Sequence, residues 1–442
     1  MTIDRATLEA TSTQLLQQLI RFNTVNPPGN EAIAQAFIQG ELEASGFAVE
    51  LYARDEGRPN LVATLAAPNG SDGPTVGLLG HVDTVLADPD EWEVDPWSGE
   101  IRDDGCIWGR GAQDMKGQVA AELAAAIELS RAGWRPASGA LKIIVTADEE
   151  AGGNYGARWL CENHPDAARC DMTLNEGGGQ MFVYEGTRYY RVGCAEKGFA
   201  RFDVVAHGKA GHASIPRMGD NALTKLAPVL DKLANNQPGY DLTAEPKAIL
   251  EAIFKQDVSE QDLPELVQRL RQTDDRLAVL LEPTLGVTLT PTMARASEKV
   301  NVIPGTASVR VDCRVPPGFD RDHAEKRARE VLGDGDFELQ FDVSAIGNSS
   351  AHDSPLMDAI NAWVATVDPD AQTVPSVLPG FTDSRWFRDA FPDCVAYGFF
   401  PQLKMDMYES DPLIHSANER IPVEDLTLAA DFFATTVPKL LG

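Results

Sequence analysis

Apolar and polar positions along the chain follow a pattern that changes twice. Residues 1–45 predict a helix, a Pro/Gly turn and a second helix. The turn is Asn26-Pro27-Pro28-Gly29-Asn30, with Asn30 placed to cap the second helix. Three apolar runs then predict strands buried on both faces: TVGLL at 75–79, LKIIV at 141–145 and MTL at 172–174. Between the first two, QVAAELAAAIELSRAG predicts a helix stopped at Gly133. Strand and helix in alternation define an α/β class with a mostly parallel sheet.

Near residue 190 the pattern becomes that of strands with one wet face, beginning with FARFDVVAHG. A helix (NALTKLAPVLDKLAN), two strands (GVTLTPTM, ASVRVDCRV), a helix (RDHAEKRAREVL) and a strand (FELQFDV) complete a β-α-β-β-α-β order. Residues 240–282 read as inserted helices and loops. After about residue 350 the α/β pattern resumes, with a strand at DCVAYGFF. The expected organisation is one domain over 1–190 and 350–442, interrupted by a smaller α+β domain over 191–349. The length of 442 residues agrees with two to three domains.

The polar residues that close each buried strand carry the chemistry. Gly80-His81-Val82-Asp83 follows the first, Asp148-Glu149-Glu150 the second, and Asn175-Glu176 the third. In a parallel sheet these are carboxyl ends of strands, where ligand sites form. Carboxylates clustered there without compensation cost several kcal/mol, and a divalent cation is the simplest compensation. The segment GRGAQDMKG adds Asp114 just before the predicted helix. Alone it reads as a helix cap, but beside His81 and two acid clusters it reads as a ligand. Asp83, two residues from His81, is placed to accept the second imidazole N–H. Glu149 and Glu150 are adjacent and point apart, so one can hold a metal while the other faces a water.

Composition narrows the classes. There are 67 acids against 38 bases, a formal net charge of −29, which excludes nucleic acid and anionic membrane as expected partners. Most of this charge reads as a solubilising surface. Hydrophobic residues at 43% exclude global disorder. Six cysteines without a C-x-x-C pair speak against a disulfide framework and thiolate zinc. No apolar leader and no run of about 18 apolar residues is visible, so a cytoplasmic location is expected. Neither G-x-S-x-G nor H-E-x-x-H occurs. Only seven histidines compete for any metal or proton-transfer role.

Together GHVDTV, GRGAQDMKG, TADEEAGG, LNEGGG and DPLIHSANERI resemble the co-catalytic dimetal exopeptidase and aminoacylase family. That group includes glutamate carboxypeptidase, acetylornithine deacetylase, succinyl-diaminopimelate desuccinylase and aminoacylase-1. The resemblance spans nearly the whole chain, including the interrupted domain. It implies two divalent ions, Zn2+ first and Co2+ or Mn2+ as alternatives. Their implied ligands are His81, Asp114 (bridging), Glu150, Glu176 and His415, with Glu149 as general base. It also implies a cis peptide after Asp114. The interrupting domain would be a lid and dimerisation domain. Its His212 would reach a neighbouring subunit's site and polarise the scissile carbonyl, while Asn301 and Arg314 grip a substrate carboxylate. Gly380, in PGFTDSRWF, falls in the substrate loop. The implied function is hydrolysis of an amide bond in an N-acyl amino acid or short peptide by a homodimer. A dipeptidase or aminopeptidase of the same clan, and a non-catalytic binding protein on this fold, are the alternatives. His207 is read as support for His212, and His164, His323 and His352 as surface or capping groups.

Overall fold

The computed structural model describes residues 2–68, 70 and 72–442. The chain separates into two compact units. The first comprises the chain up to Cys194, Ser350–Ser376 and Thr382–Gly442; the second comprises Ala195–Ser349 and Val377–Phe381. Residues 377–381 therefore leave the first unit and join the second, where the Lys197 N–H donates to the Leu378 carbonyl at 3.0 Å.

The first unit is built on a nine-stranded mixed sheet. From one edge the strands run Ala48–Tyr52, Asn60–Ala66, Ala140–Thr146, Thr75–His81, Met172–Asn175, Val395–Gly398, Thr187–Glu196 and Gln372–Leu378, with Met181–Tyr184 paired to Thr187–Glu196. The four central strands, Ala140–Thr146 to Val395–Gly398, are parallel, and the flanking pairs whose register is defined are antiparallel. All three predicted strands lie in the parallel centre. Helices cover both faces, as a parallel sheet buried on both sides requires. Arg5–Arg21, Lys116–Arg131, Pro355–Val367 and Val423–Leu441 contribute to one core with Leu78, Ile143 and Leu174. Ala157–Asn163 and Ser384–Ala390 pack over Leu79 and Ile144 on the other. Lys116–Arg131 is buried along almost its whole length, and its run of alanines permits that close approach.

The N-terminal turn differs from expectation in one respect. The second helix, Ala32–Ala44, has Glu31 rather than Asn30 as its N-cap, with no side-chain cap bond. Glu31 is fully buried because its carboxylate is held by Arg58. The Arg58 side chain passes over Gly29 (φ +83°), where a Cβ would lie 2.2 Å from Arg58 Nε, so glycine is required there.

The second unit holds a four-stranded antiparallel sheet in the order Thr288–Arg295, Thr306–Val315, Gly198–His207, Glu338–Ala345. That is the order of a split β-α-β fold. Ala227–Asn235 and Arg321–Leu332 join its core through Val229, Leu233, Ala324 and Ala328. The predicted first helix is split at Leu226, two residues before Pro228. The insert forms the helices Ala244–Phe254, Leu263–Thr273 and Asp275–Leu281.

Candidate metal centre

The parallel register sets His81 opposite Thr146, so the segments following both strands emerge at one sheet edge. His81 ends its strand. Glu149 and Glu150 lie on the short 3-10 turn Glu149–Ala151, entered through Asp148 in the left-handed region (φ +65°). Glu176 follows Met172–Asn175 directly. Asp114 precedes the helix Lys116–Arg131, and the Asp114–Met115 peptide is cis. His415 also occupies the left-handed region (φ +61°). Non-glycine residues held there concentrate at functional sites.

Among the described residues, two groups of side chains offer ligand atoms within 4.8 Å of one another: His81, Glu149 and Glu176, and Asp114, Glu150 and His415. Asp114 stands between them, with Oδ1 3.2 Å from His81 Nε2 and Oδ2 3.0 Å from His415 Nε2. His415 Nε2 lies 3.1 Å from Glu150 Oε2. The buried His81 Nε2 makes no hydrogen bond, although Asp114, Glu176 (3.7 Å) and Glu149 (3.9 Å) surround it. An imidazole nitrogen facing three carboxylates without a bond to any is an arrangement a cation would complete. The donor set of nitrogen and oxygen without sulfur fits Zn2+, Co2+ or Mn2+.

A deeper layer fixes these groups. His81 Nδ1 lies 3.0 Å from the Asp83 main-chain carbonyl oxygen and 3.4 Å from Asp83 Oδ1, so the backbone is its nearer acceptor. The Asp83 carboxylate is occupied elsewhere. It accepts the Glu149 and Glu150 N–H groups, each at 3.2 Å, and Asn26 Nδ2 at 2.9 Å. Asn26 also donates to Asp148 at 3.1 Å, and Arg58 spans Asp148 (2.9 Å) and Glu31 (2.5 Å). Arg58 and Glu31 are not among the residues the sequence marks, and Asn26 is marked there only as the start of a turn. Asp383, in the same segment as Gly380, is buried, accepts from Thr146 Oγ1 at 2.6 Å, and is likewise new.

The electrostatics follow from crowding. Burial raises the Glu149 pKa well above the ordinary carboxylate range; His81 opposes this, while Glu176, Asp383 and Glu150 reinforce it. Burial likewise raises Glu176 and Glu150. Burial works against the charged form of His81, but Asp114, Asp83, Glu176 and Glu149 outweigh it and hold its pKa well above the usual value. Asp114 and Glu150 push His415 up to about 10. For Asp114, burial is outweighed by the two histidines, which lower its pKa. Protons here neutralise a surplus of carboxylates, a task a divalent cation can take over.

The remaining predicted residues lie in the second unit. His212 pairs with Val302 across a short two-strand ladder, and Ala213 N–H donates to the Asn301 carbonyl at 3.0 Å, so His212 and Asn301 are neighbours. Ser214 N–H donates to His212 Nδ1 at 3.2 Å, which leaves Nε2 to carry the hydrogen of a neutral ring. Arg314 Nε donates to Asp312 at 2.8 Å, and Arg201 grips the other oxygen of the same carboxylate, also at 2.8 Å. Gly380 has open space around its Cα. His207 contacts Glu338 at 2.8 Å rather than His212. His323 contacts Asp241 at 2.9 Å, and His164 packs on Tyr52 and Trp159.

The pattern of peptidase family M20/M25/M40 matches residues 77–439, and the chain belongs to that family. It is therefore an enzyme of the metallo-amidohydrolase class. A probable succinyl-diaminopimelate desuccinylase of Staphylococcus aureus is 27% identical over 399 residues, 88% of each chain. A probable carboxypeptidase S-like 2 of Dictyostelium discoideum is 27% identical, covering 80% of this chain and 70% of its own. Among solved structures, an M20 metallo-carboxypeptidase of Sulfolobus solfataricus superposes with a TM-score of 0.69 at 18% identity, over 97% of this chain and 99% of its own. Human carnosine dipeptidase 1 gives 0.67 at 16% identity, over 99% and 98%. A Bacillus subtilis protein described as a dinuclear metal binding peptidase gives 0.61 at 14%, over 99% of each. These likenesses show the fold. Among the described residues, no helix is long and apolar enough to cross a membrane.

Proposed function

We infer that the protein hydrolyses an amide bond of an N-acyl amino acid or short peptide with a free carboxylate, using two divalent ions, Zn2+ foremost. The observation that carries this is Asp114 lying between the imidazoles of His81 and His415, each in turn beside a glutamate. His81, Asp114 and Glu176 would hold one ion, and Asp114, Glu150 and His415 the other. Bound there, the ions supply Lewis-acid charge and acidify a water toward neutral pH. Glu149, beside the first group and coordinating neither ion in this reading, takes the proton of the attacking water and returns it to the departing amine. Asp83 holds the Glu149–Glu150 turn by its two N–H groups and so aims base and ligand together. His212 of the partner subunit, with its proton on Nε2, would donate to the developing oxyanion, a contribution of about 3–4 kcal/mol. Arg314, Asn301 and the Gly380 loop would orient the substrate carboxylate, with Asp312 fixing the guanidinium. A homodimer through the second unit and a cytoplasmic location complete the reading; six buried free cysteines fit a reducing compartment.

The test is Glu149→Ala. Metal content should stay at the wild-type stoichiometry while kcat on N-acetyl amino acids or dipeptides falls by roughly three orders of magnitude. Retained turnover would remove Glu149 from the role. The same panel, run with Zn2+, Co2+ and Mn2+, separates acylase from dipeptidase activity.

A further inference from the structure

Glu419 is completely buried and lies four residues after His415. Its carboxylate accepts four hydrogen bonds from the loop that carries Asp114. One oxygen takes Arg110 Nη1 at 2.6 Å and the Gly111 N–H at 3.1 Å. The other takes the Gln113 N–H at 2.7 Å and the Asp114 N–H at 3.0 Å. The Glu419 carbonyl accepts the Gly109 N–H at 2.9 Å as well. Both carboxylate oxygens are thus filled by donors, which only an acceptor-only group can satisfy. Around it, Arg110 lies over the Trp92 ring at 5.3 Å and donates to the Leu86 carbonyl at 3.1 Å. Asn418, in the left-handed region (φ +62°), accepts the Glu93 N–H at 2.8 Å and so ties the His415 segment to residue 93 as well.

One side chain therefore ties together two segments more than three hundred residues apart in sequence. One segment presents Asp114 and the other His415. Those are two of the three ligands in the Asp114, Glu150, His415 group. The His81, Glu149, Glu176 group is built from three strand ends, and Glu419 bears on it through Asp114, which lies 3.2 Å from His81.

We propose that Glu419 is a positioning residue for the second metal position. It fixes the Asp114 loop against the His415 loop, and so controls occupancy of that position far more than of the one beside His81. This rests on the two-ion reading above. Residues that orient ligands typically govern metal affinity by roughly 10–100-fold.

The experiment is a calorimetric titration of chelator-stripped protein with Zn2+ and with Co2+, paired with metal content after dialysis. Wild type should take two equivalents; if it takes none or one, the two-ion reading itself fails, whatever the variants do. Glu419→Gln keeps shape but sets an amide N–H2 against two N–H donors. It should retain the first equivalent at wild-type affinity and weaken the second by about 10–100-fold. Asp241→Asn is the control. Asp241 is likewise buried and takes Arg327 Nη2 at 2.6 Å and Nε at 3.3 Å, on segments that bear no proposed metal ligand. It should lower thermal stability and leave both equivalents unchanged. If Glu419→Gln does not fold, Arg110→Gln decides, with the same selective weakening at smaller size. Wild-type binding of both equivalents in the deciding variant, or equal weakening of both, overturns the proposal.

Discussion

Glu122 is completely buried on the helix Lys116–Arg131. Gln118 Nε2 donates to one of its oxygens at 2.8 Å, the other oxygen has no partner, and the Gln118 carbonyl oxygen has none either. Burial raises the Glu122 pKa well above its ordinary 4.5, and the Gln118 bond only partly opposes it. The native state thus keeps a proton that the unfolded chain releases above about 4.5. The stability linked to that proton is present below this pH and is lost as pH rises toward and through the raised native value. Glu122→Gln removes the titration and lets two amides pair. The variant should melt at about the wild-type temperature near pH 4.5 and at least ~2 °C higher at pH 8, measured by scanning calorimetry. Equal melting temperatures at both pH values would show that Glu122 is charged in the native state. The same contrast between local and distant partners explains what the sequence displays at this scale. His81, Glu149, Glu150 and Glu176 are legible because each lies directly after or at the end of an apolar strand. The groups that aim them are not: Asn26 meets Asp148 from 122 residues away and Arg110 meets Glu419 from 309.

The turn Glu149–Ala151 is the element on which the proposed chemistry depends, and its geometry is maintained from behind. Asp148 must stay in the left-handed region, which costs a non-glycine residue about 1–2 kcal/mol. Arg58 on one of its carboxylate oxygens and the Tyr155 N–H on the other (3.0 Å) hold it there. Arg58 is the one cation bonded to the buried pair Glu31 and Asp148 among the described residues. Arg58→Met leaves both acids unpaired, so the protein should lose on the order of 3 kcal/mol in denaturant unfolding. kcat should fall with it, because the turn that carries Glu149 loosens. A stable variant with wild-type kcat would mean that the turn holds itself. Elements are legible in proportion to their patterning. The helix Arg321–Leu332 coincides with its predicted span, and the central strands stand out because both faces are apolar. The edge strand Ala48–Tyr52 escapes sequence reading because it is largely exposed and its alternation is broken. The core helix Lys116–Arg131 is recognisable from composition, since its nearly complete burial leaves little periodicity to read.

For the whole molecule, the net charge of −29 sets two effects of salt against each other. Exposed pairs such as Arg102–Glu93 (3.0 Å) and Arg158–Glu162 (2.9 Å) contribute about 0–1 kcal/mol each and weaken as ions screen them. The surplus of acids repels itself throughout the folded surface, and screening relieves that repulsion. Repulsion should therefore win. Raising NaCl from about 0.05 M to about 1 M shortens the screening length from about 14 Å to 3 Å, and the melting temperature of the chelator-stripped protein should rise by several degrees. A divalent ion acts at the acid cluster instead of the surface. Added at about a hundred times its dissociation constant, it should stabilise by about 2.7 kcal/mol per site, and that increment should persist at high salt because the carboxylates Asp114, Glu150 and Glu176 are mostly shielded from solvent and are screened less than surface charges. A melting temperature that falls with NaCl would assign net stability to the surface pairs. A metal increment erased by 1 M salt would place the ions on the exposed acids rather than between His81 and His415.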